Sequence, residues 1–200
     1  MKIKQMIAAS LLAAAVLTLP ACKDKTPKLP DDPTPSIVVN NNEASSAVPA
    51  EFLMPMRKLL SEWGIRKGSM SDPLIGARIL MYEKTKDEVG YAVLDIDGDG
   101  VEDMIVAPMD DFKTNGMVYD ILTIKDGQAW HLANSLQATY HFMADGSFIL
   151  RTPTESGSFT FKRVTLNGAD RPTEVEITKE ESAKYYISTV ELTPFSALEN

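Results

Sequence analysis

Nucleophilic and soft-metal chemistry have few residues to draw on here. The chain holds one cysteine, Cys22, and two histidines, His131 and His141. A single cysteine excludes an intramolecular disulfide. Neither histidine has a partner at ligand spacing, and no H-E-x-x-H, G-x-S-x-G or P-loop pattern occurs. Basic residues are scarce as well. Twenty Lys and Arg face 28 Asp and Glu, for a net charge of −8. That balance excludes nucleic acid as a partner, because phosphates need a basic surface. It also excludes electrostatic adhesion to an anionic membrane.

What is present begins with an apolar segment. Lys2 and Lys4 precede the uncharged run "MIAASLLAAAVLTLP", residues 6–20. The run is shorter than the roughly 20 residues a membrane-spanning helix needs. Its basic flank and its position are those of an export signal, here residues 1–21. The segment closes on "LPAC", residues 19–22. This tetrapeptide resembles the lipobox of bacterial lipoproteins, with Pro20 in place of the usual small residue. The resemblance implies a diacylglycerol on the Cys22 thiol, cleavage just before Cys22 and acylation of the new amine. Several acyl chains anchor a protein stably where one is marginal. Lys23 follows the cysteine in place of an Asp, which implies the outer membrane where two membranes exist.

Residues 22–49 are rich in Pro, Asp, Asn, Ser and Thr and lack a sustained apolar period. Such a stretch buries too little surface to offset the entropy of ordering, so it reads as a disordered, lipid-anchored tether. Residues 50–200 have the length of one domain. At their start Phe52, Met56, Leu59, Leu60 and Trp63 form one helical stripe. Pro55 suggests that the regular helix begins there, and Gly64 is its expected stop. A second helix is expected from Ser71 or Asp72, with Pro73 in its first turn and Leu74, Ile75, Ile79 and Tyr82 inward. After Gly90 the period changes to two. "YAVLD" and "MIVAP" flank an acidic loop. "MVYDILTI" and "QAWHLA" read as one hairpin around an Asp-Gly pair, and "TYHFM" and "SFILRT" as another. "SFTFKRVTL" and "TEVEIT" follow, the latter with Val175 and Ile177 on one side and a wet face opposite. Thr178 and Glu181 form a capping box for a helix to about Tyr186, and "STVELTPF" closes as a last strand. The expected fold is α+β, with N-terminal helices followed by one mainly antiparallel sheet of six to eight strands.

The acidic loop is "LDIDGDGVEDMIV", residues 94–106. Numbered from Asp95, carboxylates fall at positions 1 (Asp95), 3 (Asp97), 5 (Asp99) and 9 (Asp103), with Gly100 at 6 and the Val101 carbonyl at 7. Carboxylates this close repel, and a cation offsets the repulsion. Calcium takes six to eight hard oxygens, and this alternation supplies them in turn around one point. Position 12 is Val106, where an EF-hand has a bidentate Glu, and the flanks read as strands. Glu102, at position 8, is expected to face solvent. The pattern D-x-D-x-D-G-x-x-D between strands resembles the calcium loops of FG-GAP and VCBS-type repeats. The wider run of a tyrosine-led strand, one Asp-rich loop and Asp-Gly hairpins, residues 90–151, resembles a group of bacterial surface lipoproteins of largely unassigned function. The competing reading is a bare Asp-Gly turn without metal.

Other features point away from chemistry. Asp110 and Asp111, or Glu180 and Glu181, read as solvated acids or complements to a helix dipole. Residues 108–116 read as a loop that lies near enough in sequence to approach the metal and add a ligand from Asp110 or Asp111. Ten methionines without a tight cluster are core filling before they are a copper site. Tyr119, Trp130, Tyr140, Phe148, Phe159 and Phe161 are core before they are a sugar platform. The sequence thus predicts a lipid-anchored cell-envelope protein with one structural calcium loop, acting as a binding or interaction module toward a protein or glycan. The alternative is a hydrolase of envelope polymers or glycans with two paired carboxylates. A third reading makes calcium itself the signal.

Overall fold

Among the described residues ten strands pair into two five-stranded antiparallel sheets. The structure, a computed structural model, describes residues 47–63, 75, 79 and 83–199. These residues belong to one compact unit, Ser36–Asn200. The expected export signal, Cys22, most of the expected tether, Gly64 and most of the second expected helix lie outside the described residues. Of that helix Ile75 and Ile79 are described, and both are helical and buried.

Helix α1 spans Ala50–Ser61 and buries Phe52, Met56, Leu59 and Leu60 of the expected stripe, whereas Trp63 lies past its end and is half-buried against the same core. It starts five residues before Pro55, which sits inside it. The missing proline N–H costs one intrahelical bond. The first turn is held by Phe52 in the core and by the Phe52 and Leu53 N–H groups, which both donate to the Pro49 carbonyl.

The first sheet runs β10-β1-β2-β4-β5. Its strands are β1 (Val89–Leu94), β2 (Asp103–Pro108), β4 (Asp120–Lys125), β5 (Gln128–Asn134) and β10 (Thr193–Pro194). The second runs β3-β6-β7-β8-β9, made of β3 (Met117–Val118), β6 (Thr139–Phe142), β7 (Phe148–Pro153), β8 (Phe159–Thr165) and β9 (Thr173–Ile177). One face of the first sheet gathers Tyr91, Val93, Met104, Val106 and Leu122 with α1 and with Phe195 and Leu198 of a closing 3₁₀ turn. Its other face sets Ile105, Ala107 and Ile121 against Tyr140, Phe142, Phe148, Leu150 and Val164 of the second sheet. The result is three layers: helix, sheet, sheet. Among the described residues no helix is long and apolar enough to cross a membrane.

The one expected sheet is therefore two, and "MVYDILTI" is where they part. Met117 and Val118 pair with His141 and Tyr140, whereas Asp120–Lys125 pairs with β2 and β5. The switch falls at Tyr119, whose N–H donates to the Val106 carbonyl at 2.7 Å. A strand that changes sheets makes a corner of this kind. The Asp-Gly hairpins stand. Asp126 (φ 51°) and Gly127 (φ 71°) form the two-residue turn of positive φ between β4 and β5.

Three further expectations change. Residues 109–115, read as loop, form helix α2 (Met109–Asn115), ended by Gly116 at φ 73°. The capping box at Thr178 and Glu181 is present, with bonds of 3.1 and 2.7 Å, but its helix α3 stops at Ser182 (Lys179–Ser182). Strand β9 is wet on both sides except at Ile177, because among the described residues no layer covers this edge of the sheet. The final strand shrinks to two residues paired with β1.

Candidate metal centre

The acidic loop joins β1 to β2 across the pair Leu94 and Asp103. It is a hairpin loop between antiparallel strands, unlike the helix-flanked loop of an EF-hand. Each aspartate in it accepts a hydrogen bond from a backbone N–H. The Gly98 and Gly100 N–H groups donate to the two oxygens of Asp95 at 2.8 and 3.0 Å. The Asp99 N–H donates to Asp97 at 3.3 Å, and the Val101 N–H to Asp99 at 2.7 Å. Gly98 and Gly100 take φ of +78° and +85°, and a Cβ on either would meet nothing within 4 Å. Glycine serves backbone conformation there, not space.

These bonds bring one oxygen each of Asp95, Asp97 and Asp99 within 4.8 Å of one another. Oxygens on a shell of about 2.3–2.6 Å around one ion are separated by at most about 5 Å, so the trio fits a single cation. Each carboxylate oxygen keeps lone pairs beyond those its N–H partners use. All the donors are hard oxygens, which excludes a thiolate or imidazole preference. Three nearby aspartates at this loop can hold a metal ion.

Asp103 sits apart from the trio. It is 2% exposed at the start of β2 and accepts from the Ile96 N–H at 3.2 Å. Burial pushes its carboxyl up to about 7, and repulsion from Asp97 and Asp99 adds to the rise. The Thr123 hydroxyl lies nearby and opposes the shift without closing a well-formed hydrogen bond. Glu102 is partly exposed and Val101 follows the trio at position 7. Asp110 and Asp111 do not join the site. They stand in the first turn of α2, at the opposite end of β2 from the loop. At about 3.3 Å per strand residue that is roughly 17 Å or more away.

A contact that sequence reasoning missed ties the loop to the second sheet. The Gly168 N–H, in the β8–β9 turn, donates to Asp97. A Cβ on Gly168 would lie 2.7 Å from the Asp99 carboxylate. In the β6–β7 turn, a Cβ on Gly146 would lie 3.0 Å from the Ile96 carbonyl. Two turns of one sheet thus close on the loop of the other.

The histidines take structural positions. His131 Nδ1 lies 2.7 Å from Asp120, a carboxylate of 0% exposure that also accepts from the Ile121 N–H. His141 Nδ1 donates to the Asn115 carbonyl at 2.9 Å. Met56, Met104 and Met143 fill core, whereas Met54 is exposed. Tyr119, Tyr140 and Phe148 are buried, whereas Trp130 is 53% exposed, with the Lys125 ammonium 5.5 Å from its ring centre.

No known family, curated protein or solved structure matches this chain.

Proposed function

We propose that this chain is a lipid-anchored cell-envelope protein whose folded part holds one structural calcium ion and serves as a binding module. The observation that carries the metal reading is the convergence of Asp95, Asp97 and Asp99 on one point. Calcium suits the set better than magnesium, because a cluster of carboxylates and a backbone carbonyl meets its looser coordination geometry. Asp95, Asp97 and Asp99 bind directly, the Val101 carbonyl adds an oxygen, and Asp103 supports the ion from below. The ion neutralises the repulsion that reaches Asp103 and fixes the loop against the β8–β9 turn. Its role is structural, holding the ends of the two sheets together. The anchor rests on the lone cysteine that follows an apolar export signal. The hydrolase reading calls for two facing carboxyls in a cleft. The cleft on the second sheet is lined by no acidic residue.

A thermal melt in EDTA, then in calcium or magnesium, tests the ion. At about 1 mM calcium and a Kd of about 0.1 mM, linkage adds on the order of 1.4 kcal/mol of stability. The expected result is a calcium-selective rise in Tm, lost in Asp95→Ala and Asp99→Ala. No shift would reduce the loop to a bare turn. For the anchor, expression in a bacterial host with labelled fatty acid should label the native chain and leave Cys22→Ser unlabelled.

A further inference from the structure

The outer face of the second sheet carries a cleft of about 230 Å³ that the calcium reading leaves unused. Its floor is made by outward side chains of three adjacent strands: His141 of β6, Ile149 and Arg151 of β7 and Phe161 of β8. The chain after α3 forms the rim with Tyr185 and Ile187.

Arg151 is the one basic residue with a permanent charge in this wall. Its guanidinium carbon lies 3.6 Å from the centre of the Phe159 ring, so the ring supports its plane. Its Nε–H is buried and has no hydrogen-bond partner. Among the described residues no carboxylate lies within 4 Å of it. Arg163, two residues after Phe161 on the same face of β8, also has a buried Nε–H without a partner, but its Nη2 donates to Asp145 at 2.9 Å. The Arg151 side chain as a whole is half-buried, and a charge-assisted hydrogen bond from its guanidinium to an anion in the cleft is stronger than one between neutral groups.

The surroundings narrow the class of anion. His141 is not a second cation. Its Nδ1–H is given to the Asn115 carbonyl, its Nε2 lies 3.1 Å from the Thr139 hydroxyl, and burial, with Arg151 nearby, holds its pKa low. One guanidinium matches one negative charge, and its planar fork matches a carboxylate. Around it, Met143, Ile149, Phe161 and Ile187 offer apolar contact. The volume lies below the roughly 300–1,000 Å³ of sites for drug-sized ligands, which limits the body to one ring or a short branched chain. We propose that this cleft binds a single carboxylate borne on a small apolar body, with Arg151 as its anchor. A free organic acid and the C-terminal residue of a peptide share this chemistry.

The test is a titration of the full chain, in calcium and again in EDTA, followed by calorimetry and NMR. The probes are phenylacetate, N-acetylleucine and the amide of each. The two acids should bind with a Kd on the order of 1 mM, and the amides about tenfold more weakly or worse. Arg151→Gln should abolish the preference for acid over amide, while Arg163→Gln keeps it. Tighter binding of N-acetylleucine marks a peptide terminus as the source, and tighter binding of phenylacetate marks a free acid. Equal binding of acids and amides, no binding by either acid, or displacement of the acids by equimolar inorganic phosphate would overturn the proposal. The acid–amide comparison needs no variant, so it stands even if Arg151→Gln fails to fold. Because the site does not involve the acidic loop, loss of calcium binding leaves this result intact, and the converse holds.

Discussion

The two sheets have the same number of strands and the same antiparallel pairing, yet they live in different solvents. Strand β2 of the first sheet is buried at all six positions, whereas β9 of the second is exposed at four of five. The central strands of the first sheet, β1, β2 and β4, lie between a helical layer and the second sheet, so both of their faces are apolar, whereas its edge strand β5 is half open. The second sheet has one face on the core and one face largely open, which is the usual arrangement for an antiparallel sheet. The difference places the two candidate sites. The acidic loop projects from the end of the stiff, doubly covered sheet, where a fixed frame can hold carboxylates against their repulsion. The Arg151 cleft lies on the open face, where a ligand can reach it.

Cutting a side chain from the covered sheet should give the largest effect. Ile105 is fully buried in β2 and packs between the two sheets. Ile105→Ala removes packing that cannot collapse around the gap, and should cost about 2–5 kcal/mol. Urea unfolding should show a lower midpoint at unchanged slope. A loss below about 1 kcal/mol would mean that the sheets are not packed through this residue.

The contact between the acidic loop and the second sheet is weaker and can be broken by one methyl group. Gly168 has φ +56°, and its added Cβ would press on the Asp99 carboxylate. Gly168→Ala should cost about 1 kcal/mol in EDTA through the backbone conformation. It should also reduce the calcium-induced rise in Tm, because Asp99 must turn away. Gly157→Ala is the control. It has φ +79° with open space around its Cβ, so it carries the backbone cost and leaves the calcium response untouched.

The sheets also respond to pH in opposite senses. On the first, Asp103 in metal-free protein has its pKa raised by burial from 3.8 to about 7. Between those values the folded state holds a proton that the unfolded state has released, so stability falls as pH rises through this window. On the second, burial and then Arg151 keep the His141 pKa below 6.5. The unfolded state gains that proton first, so stability falls as pH drops below 6.5. Melts in EDTA across this range should show Asp103→Asn flattening the first slope and His141→Asn the second.

How much of this could be read beforehand follows from the range of the interactions. The loop was legible because its chemistry is local: three carboxylates two residues apart and two glycines. The strands around it were legible from their period of two. The division into two sheets was not, because "MVYDILTI" contains no glycine or proline to mark the turn at Tyr119. Pairing with distant partners decides it. Helix α2 was legible in principle. Asp110 and Asp111 suit its first turn, Lys113 its last, and Gly116 its αL end. Treating the adjacent acids as solvated loop concealed it. The Asp120–His131 pair, the Gly168 contact and the Arg151 cleft depend on strand register, which composition does not carry.

The smallest effect should come from the open face. Val175 is 56% exposed on edge strand β9, opposite Arg163. Its side chain gains little from burial, and replacing it by alanine removes chiefly the β-branched preference for a strand. Val175→Ala should therefore change stability by no more than about 0.5 kcal/mol, within the range of surface substitutions. The same kind of truncation at Ile105 should cost several times as much. Similar losses at both positions in urea unfolding would mean that something covers β9 in solution. A second copy of the chain pairing along that edge would do so, and it would make the cost at Val175 rise with protein concentration.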